Sequence, residues 1–390
     1  MIKKLIHKNK WLCIQILLLL VIALFSDFIA NENPILIRKD GKLSSPIFSP
    51  AKYRLNDDSE LIIIPPIPYS PNTLDYKNAK SIGPFDQQHV NSYRYRHWLG
   101  TDELGRDILS GIIHGTSMAL IVGIGSMLIA SLIGISLGSL AGFFGNDQLK
   151  IGPITLFFSI IGLMIGYLLS FHQTIYFNDA STLDISTNQI FNLLIFISCT
   201  YVFTYIGQRV NQLIFKLSIF NFPLDHLISR IIELVKSLPS LFIIIGVIAI
   251  LKPSVWNIIW IIGLIAWTGI ARYCRAEVLK IKNYPFIESA KALGISEKTI
   301  LFKHILPSAL QASTVYIVFG VAGAILAEST LSFMGIGITA DSVSWGSILS
   351  EARKSPTSWW LAIFPGLAIF YTLLLLNKLA MAIEHLGKPN

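Results

Sequence analysis

Few side chains here could do chemistry, and none sits in a pattern that would. The string GISLG, residues 134 to 138, has the Gly-x-Ser-x-Gly spacing of a serine nucleophile. That arrangement needs a strand-to-helix turn, whereas Ser136 lies inside an apolar run that reads as helix. Cys13, Cys199 and Cys274 stand in or beside three separate apolar segments without metal-ligand spacing, which argues against a zinc site or a disulfide framework. The chain has no His-Glu-x-x-His zinc motif. It also has no Gly-x-x-x-x-Gly-Lys-Ser/Thr phosphate cradle, so it cannot bind ATP in that way. No catalytic residue, cofactor or metal is expected. One ionisable group stands out: Glu328, at the end of an apolar run. A carboxylate at the bilayer centre costs roughly 2.5 to 3.5 kcal/mol, and much less at the boundary, where it can simply face water.

The elements that carry these residues belong in a membrane. Of 390 residues, 53% are hydrophobic and 14% charged, and several uncharged runs reach the roughly 20 residues that span hydrocarbon. The predicted fold is all-α. A net charge of +8 could suggest nucleic acid, but the basic residues are spread over loops between apolar runs rather than gathered in a stripe. Membrane topology accounts for them, and no nucleic-acid partner is expected.

Lys3, Lys4, Lys8 and Lys10 precede the apolar run Trp11 to Ser26, which reads as an uncleaved first span. Residues 27 to 107 form a polar, proline-bearing extracytoplasmic loop, extended or turning at IIIPPIPYSPNT, residues 62 to 73. From Ile108 to Asn146 the small residues Ser126, Ala130, Gly134, Gly138 and Gly142 recur every fourth position, on one helix face where a neighbouring backbone can come close. Two further apolar runs, 151 to 171 and 190 to 207, flank a stretch without Lys or Arg and predict a membrane hairpin at about 147 to 222. Pro239 then breaks or kinks a span. Others follow at Trp256 to Lys282, about Pro307 to Ala327, and about Ser358 to Asn377. The segments assigned to the cytoplasm hold eighteen Lys and Arg, and the short outer loops hold three: Lys252, Arg353 and Lys354. That asymmetry predicts eight spans with both termini inside.

Between two of those spans lies ESAKALGISEKTILFKHILP, Glu288 to Pro307, rich in charge and expected in water at a membrane face. Gly294 is placed to end a first helix in a left-handed conformation, Ser296 with Glu297 to start a second, and Pro307 to occupy the first turn of the following span. Phe286, Ile287, Ala290, Leu293 and Ile295 give this polar loop an apolar side suited to a protein groove.

This stretch resembles the cytoplasmic coupling loop of bacterial ABC-importer permeases: Glu-Ala-Ala, three residues, Gly, nine residues, Ile, one residue, Leu-Pro. The chain has Glu288, Ser289, Ala290, Gly294, His304, Leu306 and Pro307 at those positions, with Ser289 replacing an alanine and His304 the isoleucine. KHILP is similar to the RHILP of the dipeptide/oligopeptide/nickel branch. HWLGTDELGRDILSGIIHG, His97 to Gly115, is similar to that branch's segment before its second span, with Gly111 where arginine is frequent. There Thr101 or Asp102 is a candidate helix N-cap, with Glu103 and Asp107 near the positive helix end. AESTLSFMGIG, Ala327 to Gly337, and SWGSIL, Ser344 to Leu349, are similar to later signatures, although the proline pair before Trp-Gly is missing. More weakly, ANENPILIRKDGK and PPIPYSPNT resemble the subgroup that includes microcin C importers.

The resemblance implies a type I ABC-importer transmembrane domain with six core spans, here with a two-span insertion, in the bacterial inner membrane. It implies a non-catalytic permease for peptides whose Glu288, Ser289, Ala290, Leu293, Gly294, His304, Leu306 and Pro307 couple to an ATPase. Glu328 becomes a candidate for the translocation path. The implied partners are a second permease subunit, two ATP-binding subunits and an extracytoplasmic substrate-binding protein. An ion-coupled secondary transporter is the alternative, but it would place ionisable residues at mid-span in repeated halves, and neither is found. The cargo cannot be named from these residues, and nickel, opines and antibiotics stay open beside peptides.

Overall fold

The computed structural model describes residues 9–39, 42–48, 61–90, 92–147, 149–176, 185–211, 220–251, 253–337, 339 and 342–387. Lys3, Lys4, Lys8, Lys216, Lys252 and Lys388, with positions 177–184 of the expected hairpin tip, lie outside the described residues. The chain divides into two compact units, Met1–Gly142 with Ile231–Asn390, and Phe143–Arg230.

The longer unit is helical. Its helices are α1 (Lys10–Leu24) and α2 (Ile108–Phe144, whose last two residues belong to the second unit). After two intervening helices of the second unit, numbered α3 and α4 below, come α5 (Leu224–Lys236, which begins in that unit), α6 (Ser240–Ile248), α7 (Val255–Lys282) and α8 (Pro285–Ala292). The last are α9 (Leu306–Phe333), α10 (Trp345–Ala352) and α11 (Trp360–Gly387). The departure from an all-α chain is a small antiparallel sheet in the outer loop, in the order β2-β1-β3, formed by Leu36–Lys39 (β1), Lys42–Ser44 (β2) and Leu61–Ile63 (β3).

The stripe of small residues on α2 packs against α7. A Cβ on Gly134 would lie 2.8 Å from the Trp267 carbonyl oxygen, one on Gly142 2.9 Å from that of Arg275, and one on Gly138 would collide with Ala271. From the other side, a Cβ on Gly263 would lie 2.9 Å from the Ser126 carbonyl. Close backbone approach of this kind is what small residues permit between spans. Ser136, mid-helix, donates to the Leu132 carbonyl at 2.6 Å, so the GISLG string forms no nucleophile turn. Val122, Ile244, Ile258, Ile262, Ala324 and Leu331 bury a core between α2, α6, α7 and α9, and a second core around Ala119, Ile325, Trp345 and Ile369 takes in Leu19 and Leu20 of α1.

Among the described residues, five helices are long and apolar enough to cross a membrane, and six if α5 and α6, bent by 76° where Pro239 interrupts them, form one span. Two apolar helices are shorter: α1 and Leu194–Val210. Eight spans are expected from sequence; α1 and Leu194–Val210 are the two that fall short of span length among the described residues. Two boundaries differ from expectation. The span assigned to start at Pro307 is continuous from Glu297, through a π-helical segment Ile300–Ile305. In that segment the Leu306 amide bonds to the Leu301 carbonyl, five residues back, a widening that makes room for the ring of Pro307. The final helix runs to Gly387, well beyond Asn377.

The second unit is the expected hairpin, α3 (Pro153–Tyr176) against α4 (Ile185–Val210). Its seam uses glycines: a Cβ on Gly162 would meet Phe203 and Thr200, on Gly166 Phe196 and Cys199, and on Gly207 Phe158 and Thr155, an antiparallel register. Ser159 and Thr204 hydrogen-bond across it at 3.1 Å. The base is closed by two-residue strands β4 (Lys150–Ile151) and β5 (Phe220–Asn221). Below them the His226 amide donates to the Asn146 side-chain oxygen at 3.0 Å.

Candidate functional site

The Glu288–Pro307 loop is built by local chain chemistry. Pro285 occupies the first turn of α8, where its missing N–H is not needed. The helix ends in a Schellman motif: the Ile295 amide bonds to the Ala290 carbonyl at 3.1 Å and the Gly294 amide to that of Lys291 at 2.9 Å. This geometry puts Gly294 at φ +76°, a conformation that costs a residue with a Cβ roughly 1 to 2 kcal/mol. Ser296 then caps the next turn, its oxygen accepting from the Thr299 amide at 3.4 Å. Pro307 stands in the first turn of α9, and Ser289 donates back to the Pro285 carbonyl at 3.1 Å.

The apolar side of this loop is divided rather than single. Ile287 is fully buried and Ala290 is 8% exposed, whereas Leu293 is 81% exposed. Phe286, Tyr284 and Phe302 are also outward, as are Glu288, Ser289, Lys291 and Pro307, while His304 and Leu306 are half-buried. Hence Ile287 and Ala290 face this chain's own interior and are not free to enter a partner's groove, contrary to the reading of one continuous docking face. Leu293 follows Phe286 by seven residues, so helical periodicity turns it to that outward side, about 120° round from Ile287.

The GTDELGRD segment is a folded plug ahead of α2. Asp107, not Thr101 or Asp102, caps the helix, its Oδ2 accepting the Ser110 amide at 2.7 Å. Asp102 instead organises the preceding turn, accepting from the Arg106 amide at 2.8 Å and from Arg106 Nε at 2.6 Å. Thr101 donates to the Asn78 carbonyl at 2.7 Å, and Trp360 Nε1 donates to the Thr101 carbonyl at 3.1 Å. Gly105 passes so close to the Asp75 carbonyl that any Cβ would collide with it.

Sequence reasoning missed the centre of this plug. His97 is fully buried, with Nδ1 2.8 Å from Asp107 Oδ1, Nε2 3.3 Å from Asp75 Oδ2, and its ring stacked on Tyr69 at 4.3 Å. Burial alone would lower its pKa, but the hydrogen bonds and charges of Asp107 and Asp75 outweigh that and raise it above 6.5. Asp75 is pushed up by burial and drawn down further by hydrogen bonds from Asn78, His97 and Lys77, ending below 3.8. Burial, then the charges of Asp75 and Asp107, raise the Tyr69 phenol. The first residue of the recognised string was the available signal; its partner 22 residues earlier was not.

Glu328 faces neither water nor a cavity. It is fully buried in α9, with Ser332 donating to Oε1 at 2.6 Å and Ser329 to Oε2 at 3.3 Å. Its neighbourhood closes with α10, whose start is fixed by a Ser344–Ser347 capping box and whose Trp345 donates to the Ile112 carbonyl at 3.0 Å. That capping box shapes the outer loop where the usual proline pair is missing.

Comparison with known proteins agrees with this arrangement. Residues 213–386 match the family described as binding-protein-dependent transport system inner membrane component, a match that starts just after α4. Along nearly its whole length the chain is similar to the inner membrane ABC transporter permease protein YejE of Escherichia coli, with 24% identity over 98% of this chain and 94% of that one. The glutathione transport system permease protein GsiD of Pectobacterium atrosepticum is 27% identical over 80% of this chain and 81% of its own. The oligopeptide transport system permease protein OppC of Haemophilus influenzae is 36% identical over 42% of this chain and 53% of its own.

Proposed function

We infer that this chain, which belongs through residues 213–386 to the inner membrane components of binding-protein-dependent transport systems, is the permease subunit of an ATP-driven importer of peptides. The observation that carries the reading is the Glu288–Pro307 loop. It is a short helix turned by a left-handed Gly294 and re-entering a span-length helix, in a chain with no phosphate cradle of its own. Energy then comes from a separate ATPase, and the loop is where it is delivered.

In this reading two ATP-binding subunits engage the loop through the residues turned outward, Phe286, Glu288, Ser289 and Leu293. Ile287 and Ala290 couple that contact to the body of the permease, and Gly294, His304, Leu306 and Pro307 pass the motion into α9. A second permease subunit completes the membrane pair, and an extracytoplasmic binding protein delivers cargo to the outer face. Both termini lie in the cytoplasm of the inner-membrane protein, as the excess of Lys and Arg on that side supports. The hairpin 147–222 is an insertion added to six core spans, supported by its own compact packing and closed base. Glu328 is held within α9 by Ser329 and Ser332. A peptide cargo is favoured because the relatives above include an oligopeptide permease and a permease for glutathione, itself a peptide.

The test is reconstitution of the full complex with labelled alanine peptides. Uptake should require ATP and persist when a protonophore collapses the proton gradient. Uptake lost with the gradient and indifferent to ATP would make this an ion-coupled carrier.

A further inference from the structure

Within the longer unit a cavity of about 600 Å³ opens among α2, the break between α5 and α6, α7 and α9. Its α9 wall carries the aromatics Tyr316 and Phe319 and, beyond them, a run of small residues at Gly320, Gly323, Ala324 and Ala327. Small residues in a span ordinarily let another helix approach, and on α2 they do so. On α9 they behave differently. The space over Gly320 is filled by the Met127 side chain, while a Cβ on Gly323 would meet nothing within 4 Å. Gly323 therefore faces open volume rather than a packed neighbour.

The cavity has a polarity as well as a shape. Among the described residues that line it, Lys236 carries the sole charge, and no carboxylate is present. No ion-pair partner is found for Lys236 among the described residues, and Arg272 is a second cation in its neighbourhood. Beside it α6 starts at Ser240 without a side-chain cap, so the positive end of that helix adds to the same field. A broken span whose uncapped helix start meets a cation is suited to an anionic group at the cytoplasmic end of the cavity. A lipid chain or an apolar helix of a neighbouring subunit would leave that charge unanswered.

We propose that this cavity is the stretch of substrate path contributed by this chain, that Gly323 sets its clearance, and that Lys236 with the start of α6 receives the carboxylate end of a peptide. The proposal rests on the peptide-importer reading, and its test separates the two. In proteoliposomes holding the complete complex, uptake of dialanine, trialanine and hexaalanine is measured for Gly323→Ala, Gly323→Leu and, as control, Gly366→Leu, whose Cβ also meets nothing within 4 Å but which lies outside the lining. Gly323→Leu should depress hexaalanine uptake about tenfold more than dialanine, Gly323→Ala should fall between, and Gly366→Leu should stay within twofold of the unsubstituted protein. Lys236→Gln should slow trialanine while leaving trialanine amide unchanged, which also separates a peptide carboxylate from a lipid headgroup as the occupant.

A second arm needs no peptide. With Cys13, Cys199 and Cys274 replaced by serine, a water-soluble maleimide should label Gly323→Cys at least tenfold faster than Gly366→Cys. Equal labelling overturns the path. So does equal slowing of all three peptides. If the unsubstituted complex moves no alanine peptide but Gly323→Cys labels fast, the peptide assignment fails and with it the carboxylate role of Lys236, while the path stands.

Discussion

Asp107 binds His97 with one carboxylate oxygen, at 2.8 Å, and caps α2 with the other, so the outer loop and the helix it precedes share a single side chain. Asp75 approaches the far imidazole nitrogen at 3.3 Å, so a carboxylate lies at each nitrogen of a ring with no exposed surface. Because the folded pKa of His97 is raised above 6.5, its stabilisation is complete below that value and disappears as pH rises through the raised pKa. Asp75 runs the opposite way. Its depressed pKa gives stability that is present above 3.8 and lost as pH falls through the lower folded value. Thermal unfolding of the detergent-solubilised protein should therefore be highest in mild acid and fall toward alkaline pH. His97→Gln should flatten the alkaline limb, and His97→Ala, which leaves two carboxylates without their cation, should cost about 3 to 5 kcal/mol. A pH profile of His97→Gln identical to that of the unsubstituted protein would refute the ion-pair account.

Gly294→Val should uncouple transport from ATP hydrolysis while leaving assembly nearly intact. No atom lies within 4 Å of a Cβ built at Gly294, so the penalty is conformational rather than steric: the φ of +76° disfavours a β-branched residue. To relieve it, the Schellman turn must open and α8 must swing away from its present direction. ATP hydrolysis and peptide uptake measured together on the same vesicles give the coupling ratio. Uptake at the unsubstituted level, at normal expression, would show that the bend is not needed.

What could be read from sequence was what is local along the chain. Gly294, Ser296 and Pro307 each act within a few residues of themselves, and the small-residue stripe of α2 depends only on helical periodicity. What could not be read was set by partners distant in sequence or by a change of helical phase. His97 takes Asp75 from 22 residues away, and Trp360 reaches Thr101 across 259. Leu293 follows Ile287 and Ala290 at steps of three, but two such steps carry it about 120° round the helix to the exposed side of Phe286. Glu328 was legible as unusual and not as satisfied, although Ser332 four residues later was the sequence's one indication of how it is held.

Removing the hairpin should leave the rest of the molecule able to insert and to bind its ATPase. The excision has a natural seam: Asn146 and His226 hydrogen-bond side by side, and Lys150 pairs with Asn221 in the short ladder above them. These contacts bring the two ends of the hairpin together, so a join from Asn146 to Asn221 has only a short gap to span. Co-purification of the ATPase with the shortened permease is the readout. An inserted but ATPase-free product would assign the hairpin a structural role.

The division of the loop's apolar residues separates docking from folding. Ala290 is buried within this chain, so Ala290→Phe overpacks the permease itself, at a typical cost of about 1 to 3 kcal/mol, and should appear as lower thermal stability and yield. Leu293 is 81% exposed beside Phe286, so Leu293→Asp should leave the isolated permease unaffected. On docking, however, that leucine loses surface to a partner, and burying such a side chain is worth about 1.5 to 3 kcal/mol, roughly ten- to a hundredfold in affinity. Lys291→Gln removes only a solvated charge, whose pairing is worth about 0 to 1 kcal/mol, and should be neutral. The expected pattern after detergent extraction is a normal ATPase-to-permease ratio for Lys291→Gln and a strongly reduced ratio for Leu293→Asp at unchanged permease yield. Ala290→Phe should lower the yield of permease itself. Full retention of the ATPase by Leu293→Asp would mean that the outward side of α8 is an ordinary solvated surface and that coupling enters the membrane domain elsewhere.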